Sequence, residues 1–285
     1  MNKLIRFFAL LVSAGFMLSS CNNESKTKES QTMDSSNTVT NHQTQIIVEH
    51  PVSYSVKGIN FNSYVAFDSA QTGKRPVVLV LPEWWGMTEY PRKRAKQLAE
   101  LGYLAMAVDL YGDGKIAGDP VQAQTLATPF YKDPQLGKER FEAALSTAMK
   151  LEQADTTKTA AIGYCFGGTM VLNAAKMGSN LDGVVSFHGG LETVPANKDL
   201  LKAKILICHG AADSFVPQAQ VDAFKKGLDS IGASYTFKAY PDATHAFTNP
   251  AATETGVKFK MPIRYNGAAD TASWNDMKSF LKTLF

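Results

Sequence analysis

The sequence predicts an α/β fold in which a mostly parallel central sheet is covered by helices on both faces. Two observations support this fold class. Short apolar runs such as residues 76–81 are rich in β-branched side chains, as expected of strands buried on both faces. These runs alternate with longer segments of helical pattern, which is the order of a parallel sheet with crossover helices. The composition, 45% hydrophobic and 19% charged, is typical of a globular protein.

The predicted elements occupy residues 46–285, and one domain accommodates all of them. An antiparallel hairpin comes first, at residues 46–56 and 61–67, where apolar and polar residues roughly alternate. Later strands are predicted at residues 76–81, 103–110, 159–163, 183–187, 204–208 and 235–240. Helices are predicted at residues 90–101, in a longer region that ends near residue 153, and at residues 169–177, 217–231 and 272–284. A hairpin followed by alternating strands and helices is the order of an α/β-hydrolase.

The N-terminus has the pattern of a signal peptide over residues 1–21. Lys3 and Arg6 precede an apolar stretch at residues 7–17 that is short for a membrane span. The tetrapeptide that ends at Cys21, Leu-Ser-Ser-Cys, resembles the bacterial lipobox, which implies cleavage before Cys21 and lipidation of that residue. The alternative is an ordinary secretory signal that is cut elsewhere. The first interpretation predicts a protein of the cell envelope, anchored by its lipid to a bacterial membrane and periplasmic or outer-membrane associated.

Residues 22–45 are predicted to be a flexible polar tether between the anchor and the domain. They consist mainly of Ser, Thr, Asn, Gln, Lys and Glu, a composition that buries too little apolar surface to fold. The net charge of the whole chain is only +3, and no basic run with interleaved aromatic residues occurs. Nucleic-acid binding is therefore not expected.

The three cysteines have three different predicted roles. Cys21 is the lipidation site, and Cys208 lies within an apolar run, where a cysteine usually acts as a small core side chain. Cys165 lies in a turn rich in small residues. A structural disulfide is therefore not expected.

The segment around Cys165 is the thiol form of the nucleophile elbow, G-x-C-x-G. A buried strand ends at Gly163, Cys165 follows at the turn, and Gly167 lies in the helical segment beyond it. Glycines are needed on both sides because strand and helix pass close together there. The positive end of the helix dipole favours both a thiolate and a developing oxyanion. The alternative is an inert core cysteine in a glycine-rich turn.

Two further residues follow later strands at the same predicted edge of the sheet. Asp213 lies in a turn after residues 204–208, and His245 lies in a loop after residues 235–240. Taken alone, Asp213 could be a turn-forming aspartate and His245 a histidine in a surface loop. The order Cys165, Asp213, His245 is that of nucleophile, acid and base in α/β-hydrolases.

The three residues predict a catalytic triad with definite roles. His245 would act as the general base toward Cys165, and Asp213 would hold the imidazole tautomer. The oxyanion would be bound by the backbone N–H groups of Phe166 and Trp84.

Four segments resemble the dienelactone hydrolase family over residues 77–285. They are Gly163-Tyr164-Cys165-Phe166-Gly167-Gly168, Leu81-Pro82-Glu83-Trp84-Trp85-Gly86, the turn from His209 to Asp213, and the loop from Tyr240 to Phe247. The resemblance implies hydrolysis of a small ester or lactone through an acyl-thioenzyme, without a metal or other cofactor. It also implies that Glu83 holds the resting thiol away from the histidine. Independently, a glutamate in an apolar loop needs a partner, although it could merely cap that loop.

One departure from the family pattern concerns the substrate. Members use arginines to bind a substrate carboxylate, one of them shortly after the histidine, where this chain has Asn249 and Pro250. The loop at residues 111–115 offers Lys115, which does not replace arginine for bidentate carboxylate binding. The chemistry is therefore expected to be kept while the substrate differs. The aromatic residues nearby are expected either to line an apolar acyl pocket or to pack in the core: Trp84, Trp85, Tyr111 and Phe247.

Two other classes of function stay open at this point. A reactive Cys165 would also suit a redox-active thiol lipoprotein, although only Cys208 is available as a resolving partner. A non-catalytic binding lipoprotein on a hydrolase scaffold is the other. His188 and His209 are interpreted as structural, because no second pair of ligands at metal-binding spacing accompanies them.

Overall fold

The computed structural model describes residues 44–285. The predicted signal peptide and nearly all of the predicted tether lie outside these residues. The described part contains an eight-stranded sheet in the order β1-β2-β4-β3-β5-β6-β7-β8. The strands are β1 Ile47–Val56, β2 Ile59–Asp68, β3 Arg75–Leu81, β4 Leu104–Ala107, β5 Ala154–Tyr164, β6 Gly183–Phe187, β7 Lys204–Gly210 and β8 Tyr235–Tyr240.

The sheet is mixed because its N-terminal hairpin runs against the other strands. β1 and β2 pair antiparallel through a two-residue turn in which Lys57 and Gly58 both have positive φ, 49° and 80°. Such a turn matches the twist of the two strands that it joins. β2 also pairs antiparallel with β4, whereas the pairs from β4 through β8 are parallel. The predicted fold class, an antiparallel hairpin on a mostly parallel sheet, is confirmed.

The helices cover both faces of the sheet. They are α1 Glu89–Ala99, α2 Pro120–Lys132, α3 Pro134–Met149, α4 Phe166–Lys176, α5 Gln218–Asp229, α6 Ala252–Phe259 and α7 Gly267–Lys282. Alternate residues of β3 enter opposite core layers, since side chains alternate along a strand. Leu79 packs in the layer that includes residues of α2 to α5, whereas Val80 packs in the layer that includes residues of α1 and α7. This two-sided burial explains why β3 is almost continuously apolar.

The boundaries differ from the prediction at several places. α4 begins at Phe166 rather than at residue 169, and β4 ends at Ala107 rather than at residue 110. α6 was not predicted, because it is only eight residues long and contains Gly256. A Cβ at Gly256 would lie 2.4 Å from the backbone oxygen of Ile263, so the glycine is required by close packing rather than by a turn. Helix propensity is overridden there by tertiary contact.

Within residues 44–285, no helix combines the length and the apolar character that a membrane crossing would require.

Candidate active site

The nucleophile elbow has the strained geometry that its sequence predicts. Cys165 joins β5 to α4 with φ 50° and ψ −114°, a conformation that non-glycine residues rarely adopt. A Cβ at Gly163 would lie 2.1 Å from the backbone oxygen of Gly167, and a Cβ at Gly167 would lie 2.5 Å from that of Leu81. Both glycines are therefore needed for the strand and the helix to pass, and the turn presents the thiol at the carboxyl edge of the sheet.

The fold brings Cys165, His245 and Asp213 into one hydrogen-bonded row. His245 Nε2 lies 3.0 Å from Cys165 Sγ, and His245 Nδ1 lies 2.8 Å from Asp213 Oδ2. The other carboxylate oxygen of Asp213 accepts the backbone N–H of Phe215 at 2.9 Å, which fixes the carboxylate plane. The Asp213 side chain is fully buried and the His245 side chain is 12% exposed. The row can therefore move a proton between sulfur and imidazole with little competition from water.

Electrostatics favour a protonated His245. Burial lowers the pKa of the imidazole, but Cys165 and the hydrogen bond that His245 Nδ1 donates to Asp213 raise it more, so the net pKa lies well above the usual value. A charged imidazolium next to sulfur stabilises a thiolate, which is the nucleophilic form of cysteine.

His188, interpreted from the sequence as structural, supports the elbow through contacts that the sequence did not specify. The Cys165 backbone N–H, which also bonds to the Phe187 oxygen at 2.9 Å, donates to His188 Nδ1 at 3.1 Å. Nδ1 is therefore the acceptor, so the proton resides on Nε2, which lies 2.7 Å from Thr248 Oγ1. Burial lowers the pKa of His188 well below its usual range. A neutral His188, whose ring centre is 5.4 Å from that of His245, does not repel an imidazolium there.

The chain of hydrogen bonds continues from Thr248 into the core. Tyr90 Oη lies 2.6 Å from Thr248 Oγ1 and accepts from Arg94 Nε at 3.2 Å. Arg94 also donates to the Thr248 backbone oxygen at 2.8 Å and forms a buried ion pair with Asp270. Through Thr248 and His188, this network connects α1 and α7 to the elbow. No local sequence pattern indicates this network, because its members are far apart along the chain.

Glu83 is buried and bonded to Asn249. Its side chain lines the same cavity as Cys165, and its Oε2 accepts from Asn249 Nδ2 at 2.6 Å. Asn249 Oδ1 accepts the N–H of Ala251 at 3.0 Å, so the amide is oriented with its NH₂ toward Glu83. Burial raises the pKa of Glu83 to about 7, and the hydrogen bond from Asn249 opposes that shift. The thiol is bonded to His245 in this structure, and its restraint by Glu83 stays a prediction.

The peptide that carries the Trp84 N–H is held in place by its neighbours. Gly86 N–H donates to the Glu83 backbone oxygen at 3.0 Å, which belongs to the same peptide as the Trp84 N–H. Tyr111 Oη donates to the Trp84 oxygen at 2.9 Å. Phe166, the first residue of α4, has an N–H without a partner inside its own helix. Both donors named from the sequence thus belong to well-fixed backbone.

A cavity of about 760 Å³ opens beside the thiol. Cys165, Glu83 and His245 lie in its wall, together with the aromatic side chains of Trp84, Trp85, Tyr131 and Phe215. Tyr131, near the end of α2, and Phe215, in the loop after β7, were not predicted, because neither belongs to a recognisable motif. The ring centre of Phe215 lies 5.2 Å from that of His245, and its side chain is 48% exposed at the rim.

Two of the predicted pocket residues do not line this cavity. Tyr111 is 4% exposed and packs against Phe130 and Phe166 in the core. Phe247 is fully buried and packs edge-on against His188, with a ring-centre distance of 5.3 Å. Both residues therefore pack in the core, which was the alternative role stated from the sequence.

Comparison with known proteins gives the family. Residues 61–285 match the dienelactone hydrolase family. The chain belongs to that family. A carboxymethylenebutenolidase-like protein of Methylorubrum extorquens is 30% identical over 190 residues, which is 62% of this chain and 65% of that protein, just under two thirds of its length. A similarly named protein of Aquifex aeolicus is 28% identical over 204 residues, 70% of this chain and 86% of that protein.

A solved structure with the same fold is that of a dienelactone hydrolase-like promiscuous phosphotriesterase from metagenomic libraries. It is 29% identical, has a TM-score of 0.79, and the match covers 84% of this chain and 99% of the other. Membership of the dienelactone hydrolase family implies hydrolase activity toward esters or lactones.

The loop after His245 contains the partner of Glu83 in this dienelactone hydrolase homologue. Asn249 occupies the region where the resemblance predicts an arginine, and it bonds to Glu83 instead. Among residues 44–285, no cluster of three or more His, Cys, Asp or Glu side chains is arranged to hold a metal ion.

Proposed function

We propose that this chain hydrolyses a carboxylic ester or lactone through an acyl-thioenzyme on Cys165. The observation that carries the proposal is the row from Cys165 Sγ to His245 Nε2 to Asp213 Oδ2, at 3.0 and 2.8 Å, in the wall of the cavity. A nucleophile, a base in contact with it and a carboxylate that orients the base are the requirements of acyl transfer.

The reaction has two halves. The Cys165 thiolate attacks the substrate carbonyl carbon, and the carbon–oxygen bond to the alcohol breaks as the His245 imidazolium protonates the departing oxygen. Water then attacks the thioester, His245 accepts its proton, and the acid is released as the sulfur leaves. Asp213 keeps the His245 proton on Nδ1 and stabilises the imidazolium in both halves.

The negative charge on the substrate oxygen is bound by the N–H groups of Phe166 and Trp84. Preorganised backbone donors of this kind stabilise the transition state without reorganisation during the reaction. The fixed peptide before Trp84 and the start of α4 at Phe166 support this assignment.

The test is hydrolysis of short p-nitrophenyl esters by the full-length protein in detergent, with the Cys165→Ala variant beside it. Turnover is expected to disappear in Cys165→Ala and after iodoacetamide treatment, with the label mapped to Cys165 by mass spectrometry. Cys208→Ala is the matched control and is expected to retain turnover, because Cys208 is fully buried in β7. Turnover at the wild-type rate in Cys165→Ala would refute the mechanism.

The redox alternative has less support. Burial raises the pKa of the Cys208 thiol to about 12, and Tyr240 Oη lies 3.5 Å from its sulfur. A protonated, buried thiol is a poor resolving partner for an oxidised Cys165. A purely binding role is disfavoured because all three members of the row are present. Rapid alkylation of Cys165 without ester turnover would favour the redox function instead.

We also propose that the protein is a lipoprotein of the cell envelope. The support is the sequence alone, in which a positive and apolar leader ends at Cys21 within Leu-Ser-Ser-Cys. The test is labelling of bacteria with a clickable palmitate analogue. Wild-type protein is expected to take up the label and sediment with membranes, and Cys21→Ala is expected to do neither. Equal labelling of both proteins would contradict the proposal.

A further inference from the structure

The connection between β6 and β7 forms one wall of the cavity, and helix side chains hold it there. Thr169 Oγ1, on α4, donates to the Gly190 oxygen at 3.0 Å. Two turns further along the same helix, Lys176 Nζ donates to Thr193 Oγ1 at 2.7 Å. The wall is therefore part of the folded framework rather than a free loop.

Two carboxamide side chains hold the same wall and also face the cavity. Asn173 Oδ1 accepts the Val194 N–H at 2.9 Å, and Gln220 Oε1 accepts the Leu191 N–H at 3.0 Å. Because each oxygen is committed to a backbone N–H, the orientation of each amide is fixed and its NH₂ is the remaining polar group. Neither NH₂ donates to any residue within 44–285, although Asn173 is only 5% exposed. Both residues line the cavity.

Apart from the catalytic His245, the charged side chains that line the cavity have one sign. Glu83 and Glu192 line it, and no lysine or arginine is found among its lining residues within 44–285. A ligand carboxylate at Asn173 and Gln220 would lose water without a lysine or arginine in the cavity wall to pair with, which is unfavourable. An uncharged oxygen acceptor would instead satisfy the free NH₂ groups.

We infer that Asn173 and Gln220 form a subsite for an uncharged hydrogen-bond acceptor, so that the substrate is a neutral ester or lactone with a second carbonyl or similar oxygen. This inference names the substrate class of the reaction proposed above and rests on that proposal for its biological meaning. Asn173 lies eight residues after Cys165 on α4, roughly 12 Å along the helix axis at 1.5 Å per residue. The second oxygen therefore belongs several bonds away from the reacting carbonyl.

The test measures ligand binding without turnover, so that its result does not depend on catalysis. Three ligands of similar length are titrated into full-length Cys165→Ala protein, with the fluorescence of Trp84 and Trp85 in the cavity wall as the signal. Diethyl suberate has a second neutral carbonyl, ethyl octanoate lacks it, and monoethyl suberate replaces it with a carboxylate. Diethyl suberate is expected to bind roughly two- to twelvefold more tightly than ethyl octanoate, the effect of one neutral hydrogen bond. Monoethyl suberate is expected to bind most weakly.

Matched variants locate the effect. Asn173→Asp and Gln220→Glu each keep an oxygen for the loop N–H and remove the NH₂ donor, so the preference for the diester is expected to fall in each. Gln218→Glu makes the same change on the same helix at a residue that does not line the cavity, and it is expected to keep the preference. Thermal denaturation confirms that each variant is folded.

Any of the following results would overturn the inference: equal affinities for the three ligands, tightest binding of monoethyl suberate, or a preference that survives in both cavity variants. Absence of binding by all three would do the same. A failure of the proposed function would give a different result. Ester turnover would be missing or would survive in Cys165→Ala, whereas these ligand affinities would be unchanged.

Discussion

Replacing Glu83 by glutamine should stabilise the protein at high pH and have little effect at low pH. Glutamine has the shape of the protonated acid and keeps an oxygen for Asn249 Nδ2, which lies 2.6 Å from Glu83 Oε2. Burial raises the pKa of Glu83 from 4.5 to about 7. A difference of about 2.5 units corresponds to about 3.4 kcal/mol, at 1.36 kcal/mol per unit.

The sign of this pH dependence follows from whether the folded or the unfolded chain holds the Glu83 proton. Between about pH 4.5 and pH 7 the unfolded chain has lost the Glu83 proton while the folded chain keeps it, so the stability of the wild type falls as pH rises. The free-energy cost of the buried Glu83 carboxylate is constant above pH 7, and it vanishes below pH 4.5. Glu83→Gln removes this cost, so its advantage should grow by about 3 kcal/mol from pH 4.5 to pH 8. For a domain of this size that corresponds to an increase in Tm of roughly 6–12 °C at pH 8.

The assay is urea unfolding of both proteins at pH 4.5, 6 and 8, followed by tryptophan fluorescence. Asn249→Leu removes the amide that opposes the pKa shift, so it should destabilise more at pH 8 than at pH 4.5. Adding Glu83→Gln to that variant should abolish the pH-dependent part of its effect. A stability difference between Glu83→Gln and wild type that is the same at all three pH values would refute the reasoning.

Two further predictions concern the site and the network beneath it. In Asp213→Asn the backbone N–H that holds Oδ1 keeps the amide oxygen there, so the NH₂ faces His245 Nδ1 and forces its proton onto the atom next to sulfur. We expect kcat for ester hydrolysis to fall by a factor on the order of 10³–10⁴ with unchanged Tm, and a loss below tenfold would contradict the assigned role. Arg94→Met leaves Asp270 without its buried partner and should cost about 3–5 kcal/mol in urea unfolding. Arg92→Met, at a half-exposed arginine on the same helix, is the control and should cost less than about 1 kcal/mol.

The elbow is the part of the site that local sequence predicts best. A strand-to-helix turn around a nucleophile excludes side chains at two nearby positions, and Gly163 and Gly167 meet that requirement in the structure. Asp213 and His245 were predictable for a related reason, because each follows a parallel strand whose carboxyl end must reach the same edge. These inferences need only the order of strands along the chain.

The sequence by itself therefore determined the fold class, the succession of strands and helices along the chain, and the three side chains that meet at the sheet edge. Those features follow from hydrophobic periodicity and steric rules, which act over a few residues. Only the tertiary structure decided that Asn249 is the partner of Glu83, that His188 supports the elbow, and that Tyr111 belongs to the core. Each depends on contacts between segments far apart along the chain, and burial and hydrogen-bond partners at such contacts are not encoded in any local pattern.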